Sequence, residues 1–246
     1  MNVDYDSLAS DYQSYRVPDE RIASIIHQEL DGYERVLNIG AGLGSYEPKY
    51  CEVTALEPSM EMIERRPAAA ARVIQASAES IPYPDNEFDV SMGILTIHHW
   101  QDLARGLAEM KRVSKHKVVL LSWIDDSPHF WMQDYFPEIR EIDREIFPTL
   151  KELSSCLGEI KAEIVPIPSD CTDGFMCAYW QRPMEYLKEG VRGAISTFAR
   201  MKDTDKGIEK LQADIESGAW HRKYGDLMNQ SSLDLGYRLV TCYKSS

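Results

Sequence analysis

Five short apolar runs punctuate the first half of the chain: RVLNI (35–39), VTALE (53–57), RVIQ (72–75), FDVSM (88–92) and VVLLSW (118–123). Each is too short for a stable helix and rich in branched residues, which suits strands. Stretches with helical spacing lie between several of them, 59–66 after the second run and 101–113 after the fourth. Strands alternating with helices build βαβ units, and runs this continuously apolar suit strands covered on both faces. The pattern predicts an α/β fold with a doubly wound, Rossmann-like, mostly parallel sheet and helices on both faces. Residues 162–166 and 235–243 extend the count to seven strands.

The flanking segments have other periods. Residues 3–16 place Tyr5, Leu8, Tyr12 and Tyr15 at helical spacing, Pro18 breaks the pattern, and 20–30 sets Ile22, Ile25, Ile26 and Leu30 on one face. Residues 130–157 are helical with interruptions at Pro137 and Pro148. The stretch 169–230 is too long for a simple connection and carries helical patterns at 184–201 and 208–216. It is expected to form a helical insertion, or cap, contributing to a substrate pocket. The main domain would then be 1–168 plus 231–246, with the helices of 1–30 covering the ligand face.

Composition narrows the function. Hydrophobic residues make up 43% and charged residues 27% of the 246, as in an ordinary globular protein. The formal charge of -13 repels phosphate backbones and anionic membranes, so neither nucleic acid nor membrane is an expected partner. Five scattered Cys (51, 156, 171, 177 and 242) form neither a disulfide framework nor a metal-ligand cluster, and no metal is expected. The polar opening residues do not resemble a signal peptide, and no stretch reaches the roughly 20 apolar residues of a membrane span. The expected setting is the cytoplasm, as a monomer or homodimer.

Residues 36–47, VLNIGAGLGSYE, carry the chemistry. Gly40, Gly42 and Gly44 follow the first strand directly, and a helix is expected to begin at about Ser45. Glycines let the backbone turn sharply and a ligand approach the main chain, while amides at a helix start can meet a polar group. Glu57 ends the second strand, near the offset of about 20 residues at which a carboxylate reaches a ribose diol. The dinucleotide fingerprint needs Gly or Ala at 45, where this chain has Ser45, and the Lys-Ser/Thr of a nucleotide-phosphate loop is missing. The turn therefore predicts a nucleoside-type cofactor and disfavours dinucleotides and ATP.

VLNIGAGLGSYE resembles motif I of the class I S-adenosylmethionine-dependent methyltransferases. The likeness continues in order through TALEPSMEMI, ASAESIPYPDNEFDV, GILTIHHW and RVSKHKVVLLSW, a series over 36–123. It is most similar to the small-molecule branch that includes ubiquinone and menaquinone biosynthesis methyltransferases. The resemblance implies a seven-stranded sheet with an antiparallel last strand and S-adenosyl-L-methionine as cofactor, released as S-adenosyl-L-homocysteine. It places Gly40, Ala41 and Gly42, with Gly44, against the cofactor's methionine and ribose portion, and Glu57 on the ribose hydroxyls. Pro58 and Met62 would lie near the adenine, lined also by Ala78 and Glu79, with Ser77 where many members carry aspartate. Gly93, Ile94 and Leu95 would pass the sulfonium end. Tyr5, Tyr12 and Arg16 would close over the methionine portion. The family usually has an acid where this chain has Asn38, which offers an amide oxygen without charge.

Methyl transfer displaces an already activated leaving group, so positioning carries much of the catalysis, and a base is needed only if the acceptor must lose a proton. His98 and His99 follow the fourth strand on the expected ligand side and are the candidate bases. His98, Trp123, Trp131, Tyr135, Trp180 and Arg182 are the candidate acceptor contacts, as aromatic walls with few polar groups. Asp125, Asp126, His129, Asp134 and Phe136 share that neighbourhood in sequence, and Trp220, His221 and Arg222 are weaker candidates. Residues 111–117 read as solvated residues ending a helix, and 138–145 as an acidic helix face. The leading expectation is methylation of a small-molecule acceptor. A cofactor-binding protein without transferase activity and a protein or nucleic-acid methyltransferase are the alternatives.

Overall fold

The computed structural model describes residues 14–126 and 128–244. The chain folds into two compact units. A sheet unit takes Glu20–Asp125, Ile146–Val165 and Gly236–Ser246, and a helical unit takes Met1–Asp19, Asp126–Glu145 and Pro166–Leu235.

In the sheet unit, β1 (Arg35–Ile39), β2 (Glu52–Glu57), β3 (Arg72–Gln75), β4 (Phe88–Ile94), β5 (Ser114–Trp123), β6 (Lys161–Ile164) and β7 (Tyr237–Tyr243) form one sheet in the order β3-β2-β1-β4-β5-β7-β6. The first five are parallel, and β7 runs antiparallel to both β5 and β6. Helices α1 (Glu20–Gln28), α2 (Met60–Glu64), α3 (Leu103–Val113) and α4 (Leu150–Leu157) belong to this unit. The starts of α2, α3 and α4 follow side-chain capping rules. Ser59 accepts from the Met62 amide, Asp102 from the Arg105 amide, and Thr149 with Glu152 closes a reciprocal capping box. Strand period two sends Leu37, Ile39, Val118 and Leu120 into one core with Leu107, Met110 and Val113 of α3 and Leu153 and Leu157 of α4. The alternate residues Val36, Val90, Met92, Val119 and Leu121 are buried as well. Both faces of the sheet are therefore covered, as the apolar runs predict.

Two sequence expectations fail here. No helix begins at Ser45: residues 40–51 are turns and bends leading straight into β2. The register pairs Arg35 with Glu52 and Ile39 with Leu56, so the chain leaving the top of β1 must return to its bottom within those residues. That return is about 16 Å for a five-residue strand, and Pro48 stands in it. The second is the solvated reading of 111–117, which holds at Lys115 and His116 but fails at Lys117. Strand β5 begins four residues before the apolar run, at Ser114, because the ladder to β4 extends to Phe88 and Ser114. Lys117 is consequently buried, and its ammonium pairs with the Glu29 carboxylate and carbonyl just beyond α1. Arg112 and Lys111 are also occupied, on Glu109, Asp85 and nearby carbonyls.

The helical unit is wider than an insertion over 169–230, since it also takes 126–145 and the residues before Glu20. Among the described residues its helices are short, with Asp205–Glu216 the longest, and the pattern over 184–201 resolves into brief turns at Pro183–Leu187, Glu189–Gly193 and Phe198–Arg200. A two-stranded ribbon pairs Ile167 with Leu233. Aromatic packing centres on Trp131, which meets Trp220 and Tyr186 edge-on at 5.4 and 5.6 Å. The opening helix expected over 3–16 lies outside the described residues except for its last three.

All five cysteines are free thiols. Among the described residues no cluster of His, Cys, Asp or Glu could hold a metal, and no helix is long and apolar enough to cross a membrane.

A Cβ added at Gly106 of α3 would stand 2.5 Å from the Trp100 ring. Gly106→Ala is expected to destabilise the protein by about 1–3 kcal/mol through overpacking. Urea unfolding measures this, and an unchanged midpoint would contradict the packing of Trp100 on α3.

Candidate cofactor site

The glycine turn sits at the carboxyl ends of β1, β2 and β4. The amides of Gly40 and Ala41 both donate to the Leu56 carbonyl, at 2.8 and 3.1 Å, which ties the turn to β2. Gly44 N–H returns to the Ala41 carbonyl at 2.8 Å. Gly40 and Gly42 have φ of +65° and +49°, the left-handed region where a side chain is disfavoured. Their surroundings differ. A Cβ on Gly40 would lie 1.9 Å from Thr96 Oγ1, in the loop after β4, whereas a Cβ on Gly42 would meet nothing within 4 Å. Gly40 is glycine for the sake of the protein's own packing; Gly42 faces open space.

Glu57 is buried at the end of β2. One carboxylate oxygen accepts the Gly42 amide at 2.8 Å and the other the Ser59 amide at 3.0 Å. An ionised carboxylate offers about four acceptor positions, so each oxygen keeps capacity for a further donor. Beneath the turn, Arg66 donates to the Gly42 carbonyl at 2.7 Å and pairs with Glu47 at 2.6 Å. Asn38, buried on β1, donates its amide to the same Glu47 oxygen at 3.1 Å. His27 Nε2 donates to the Tyr46 carbonyl at 3.0 Å, pinning the turn's exit to the last turn of α1. Neither Glu47 nor Arg66 was expected at this site; Glu47 ends the motif, but only the fold brings Arg66 to it.

The other expected cofactor residues surround these strand ends. Ser59 caps α2 between Pro58 and Met62, and the Pro58 carbonyl accepts the Gln75 amide at 3.2 Å. Ala78 is buried, beside Ser77. The Glu79 carboxylate accepts the amides of Gln101 and Asp102 at 2.8 and 3.2 Å. Burial alone would raise its pKa, but its own amide, those of Asp102 and Gln101, and the Ser77 hydroxyl together hold it below the usual carboxylate value. Gly93 and Ile94 end β4, and Leu95 adopts φ +54° with its amide on the Leu121 carbonyl. His98 and His99 follow on a short 3-10 turn, the former half-buried and the latter exposed. The His98 ring lies 3.9 Å from that of His99 and 4.5 Å from Phe147, which in turn faces Trp123 at 5.6 Å. Phe147 carried no sequence signal, because it enters this cluster from the loop before α4.

The remaining expected residues belong to the helical unit. Tyr5 and Tyr12 lie outside the described residues. Arg16 forms an ion pair with the buried carboxylate of Asp173 at 2.5 Å. Trp180 is fully enclosed and donates to the carbonyls of Ile167 and Pro168, both at 3.1 Å. Trp131 donates to the Trp180 carbonyl at 2.9 Å. Arg182 donates to the carbonyls of Cys171 and Ala178 and lies over the Tyr179 ring. Tyr135 donates to Asp214 at 2.9 Å; burial first, then that carboxylate, pushes its phenol well above the usual value. In this unit these groups hold the interior together.

The sheet order, the glycine turn and a buried acid ending β2 together place the protein in the class of doubly wound α/β folds with a glycine turn after the first strand. A family model described as a methyltransferase domain matches residues 37–122. A solved structure described as a putative methyltransferase from an antibiotic biosynthesis pathway of Anabaena variabilis is 34% identical, with a TM-score of 0.86, over 93% of this chain and 99% of that one. An uncharacterized methyltransferase, YcgJ, of Bacillus subtilis is 34% identical over 35% of this chain and 39% of its own length. A malonyl-[acyl-carrier protein] O-methyltransferase of Enterobacter lignolyticus is 28% identical over 63% of this chain and 66% of its own. The chain thus spans well under half of the Bacillus relative. It belongs to the class I S-adenosylmethionine-dependent methyltransferase family.

Gly40→Ala is expected to cost at least about 2 kcal/mol, from left-handed backbone strain together with the clash on Thr96. A stability loss below that of Gly42→Ala in the same denaturation assay would contradict the close approach of the turn to Thr96.

Proposed function

We propose that this protein transfers a methyl group from S-adenosyl-L-methionine to a small-molecule acceptor. The observation that carries the proposal is the pairing of Gly42, whose missing side chain faces open space, with the buried Glu57 carboxylate that holds its amide. The donors present fit the cofactor: two amides fix the carboxylate, and its remaining lone pairs suit a ribose diol. Bound there, the cofactor supplies a methyl group on a sulfonium, open to in-line displacement.

In this reading Gly40, Ala41, Gly42 and Gly44 hold the methionine and ribose portion through the main chain. Glu57 takes the ribose hydroxyls. Pro58, Met62, Ser77 and Ala78 enclose the adenine, and Glu79 fixes that wall by holding the amides of Gln101 and Asp102. Gly93, Ile94 and Leu95 pass the reacting end. His98 takes a proton from an acceptor that has one to lose, backed by His99 and Phe147. Trp123 supports an apolar acceptor wall in the sheet unit. Arg16, Trp131, Tyr135, Trp180 and Arg182 act within the helical unit, where their hydrogen bonds fix its aromatic interior. A free small molecule in the cytoplasm suits the net charge of -13 better than a nucleic acid does.

Calorimetry is expected to show binding of S-adenosyl-L-methionine and S-adenosyl-L-homocysteine and none of NAD. Glu57→Gln should weaken both adenosyl ligands by about 1–3 kcal/mol. Binding of NAD alone, or an unchanged affinity in Glu57→Gln, would sink the assignment. The double variant His98→Ala, His99→Ala should lose about a hundredfold or more in kcat with a hydroxyl or amine acceptor; full activity would remove the proposed base.

A further inference from the structure

We propose that Arg66, with Glu47 as its counter-charge, is the positioning residue of the cofactor turn, doing the work of the helix that the short connection leaves out. The inference rests on the S-adenosyl-L-methionine reading of the turn and adds two residues to it. In a turn followed by a helix, the helix holds the glycines at the right height. Here residues 40–51 contain no helix, so the turn needs another support.

The Arg66 guanidinium supplies it from below. One terminal nitrogen donates to the Gly42 carbonyl at 2.7 Å and lies 3.5 Å from that of Ala41. The other donates to Glu47 at 2.6 Å and to the Ala71 carbonyl at 3.3 Å. Glu47 completes the clamp by accepting the Ala71 amide at 3.0 Å on its second oxygen. Both side chains are more than nine-tenths buried, at 4% and 8% exposure. A planar fork holds the carbonyl and the carboxylate on separate nitrogens at a fixed spacing, a geometry that a compact ammonium does not reproduce. Gly42 is thus gripped at both ends of one residue, its amide by Glu57 and its carbonyl by Arg66.

The same clamp accounts for Asn38. Its amide donates to the Glu47 oxygen that Arg66 also holds. An acid at 38 would set a second carboxylate against the Glu47 oxygen that accepts the Asn38 amide. The negative charge of the clamp stands on Glu47, and Asn38 is the neutral donor it requires.

Arg66→Lys tests this, because it keeps the charge and loses the fork. The Kd for S-adenosyl-L-homocysteine is expected to rise about tenfold or more by calorimetry. Hydrogen exchange across 40–47 of the ligand-free protein should accelerate, while the amides of β4 and β5 keep their rates. An unchanged Kd with unchanged exchange overturns the proposal, and so does uniform acceleration over the whole sheet, which would make Arg66 a general fold element. Should Arg66→Lys fail to fold, the charge exchange decides. Asn38→Asp should loosen the turn and weaken binding, and Asn38→Asp with Glu47→Gln should recover most of both; a double variant no better than the single one overturns the proposal. If the native protein binds neither adenosyl ligand, the cofactor reading fails, and exchange in the ligand-free turn still decides whether Arg66 holds it.

Discussion

The adjacency of β1 and β2 in parallel register is the constraint on which the cofactor end of this protein depends. Parallel neighbours need a crossover, and here the crossover is short and contains Pro48. The chain meets the constraint with turns in place of a helix, and the turn's exposed main-chain groups must then find partners elsewhere. They find them on three sides: the Leu56 carbonyl beside the turn, the Glu57 carboxylate at its front, and Arg66 with Glu47 beneath. Each partner comes from β2 or from the segment between β2 and β3, except Glu47, which the turn itself carries.

Much of this was legible in the sequence. The five apolar runs gave the parallel strands because burial on both faces forces continuous hydrophobicity, and the order of motifs gave the family. Glu57 was legible because an acid ending the second strand stands out against an apolar run. The helix after the turn was not, because the glycine pattern is shared by chains with and without one. Its absence follows from the register of β1 on β2, which leaves residues 40–51 to cover the whole return. Arg66 was hidden for the same reason: in sequence it is one of two arginines ending a short helix. Only the path of the chain decides that Arg65 pairs with Glu61 within that helix while Arg66 turns under the glycines.

The segments outside the sheet were less legible still. Residues 111–117 look like a solvated basic run, yet strand pairing extends into them and buries Lys117 against Glu29. The aromatic residues of the helical unit look like pocket walls, yet Trp131 and Trp180 spend their indole N–H groups on carbonyls of their own unit. A tryptophan signals burial and a polar partner, and a sequence does not say whether that partner is a ligand or the backbone.

Thr96 gives the contact at Gly40 a mechanical meaning. Gly40 approaches Thr96 so closely that even a methyl group does not fit between them, and His98 stands two residues farther along the same loop. The turn after β1 and the loop after β4 therefore meet with no room for a side chain between them, so a residue larger than glycine at 40 would have to displace the loop that carries His98 and His99.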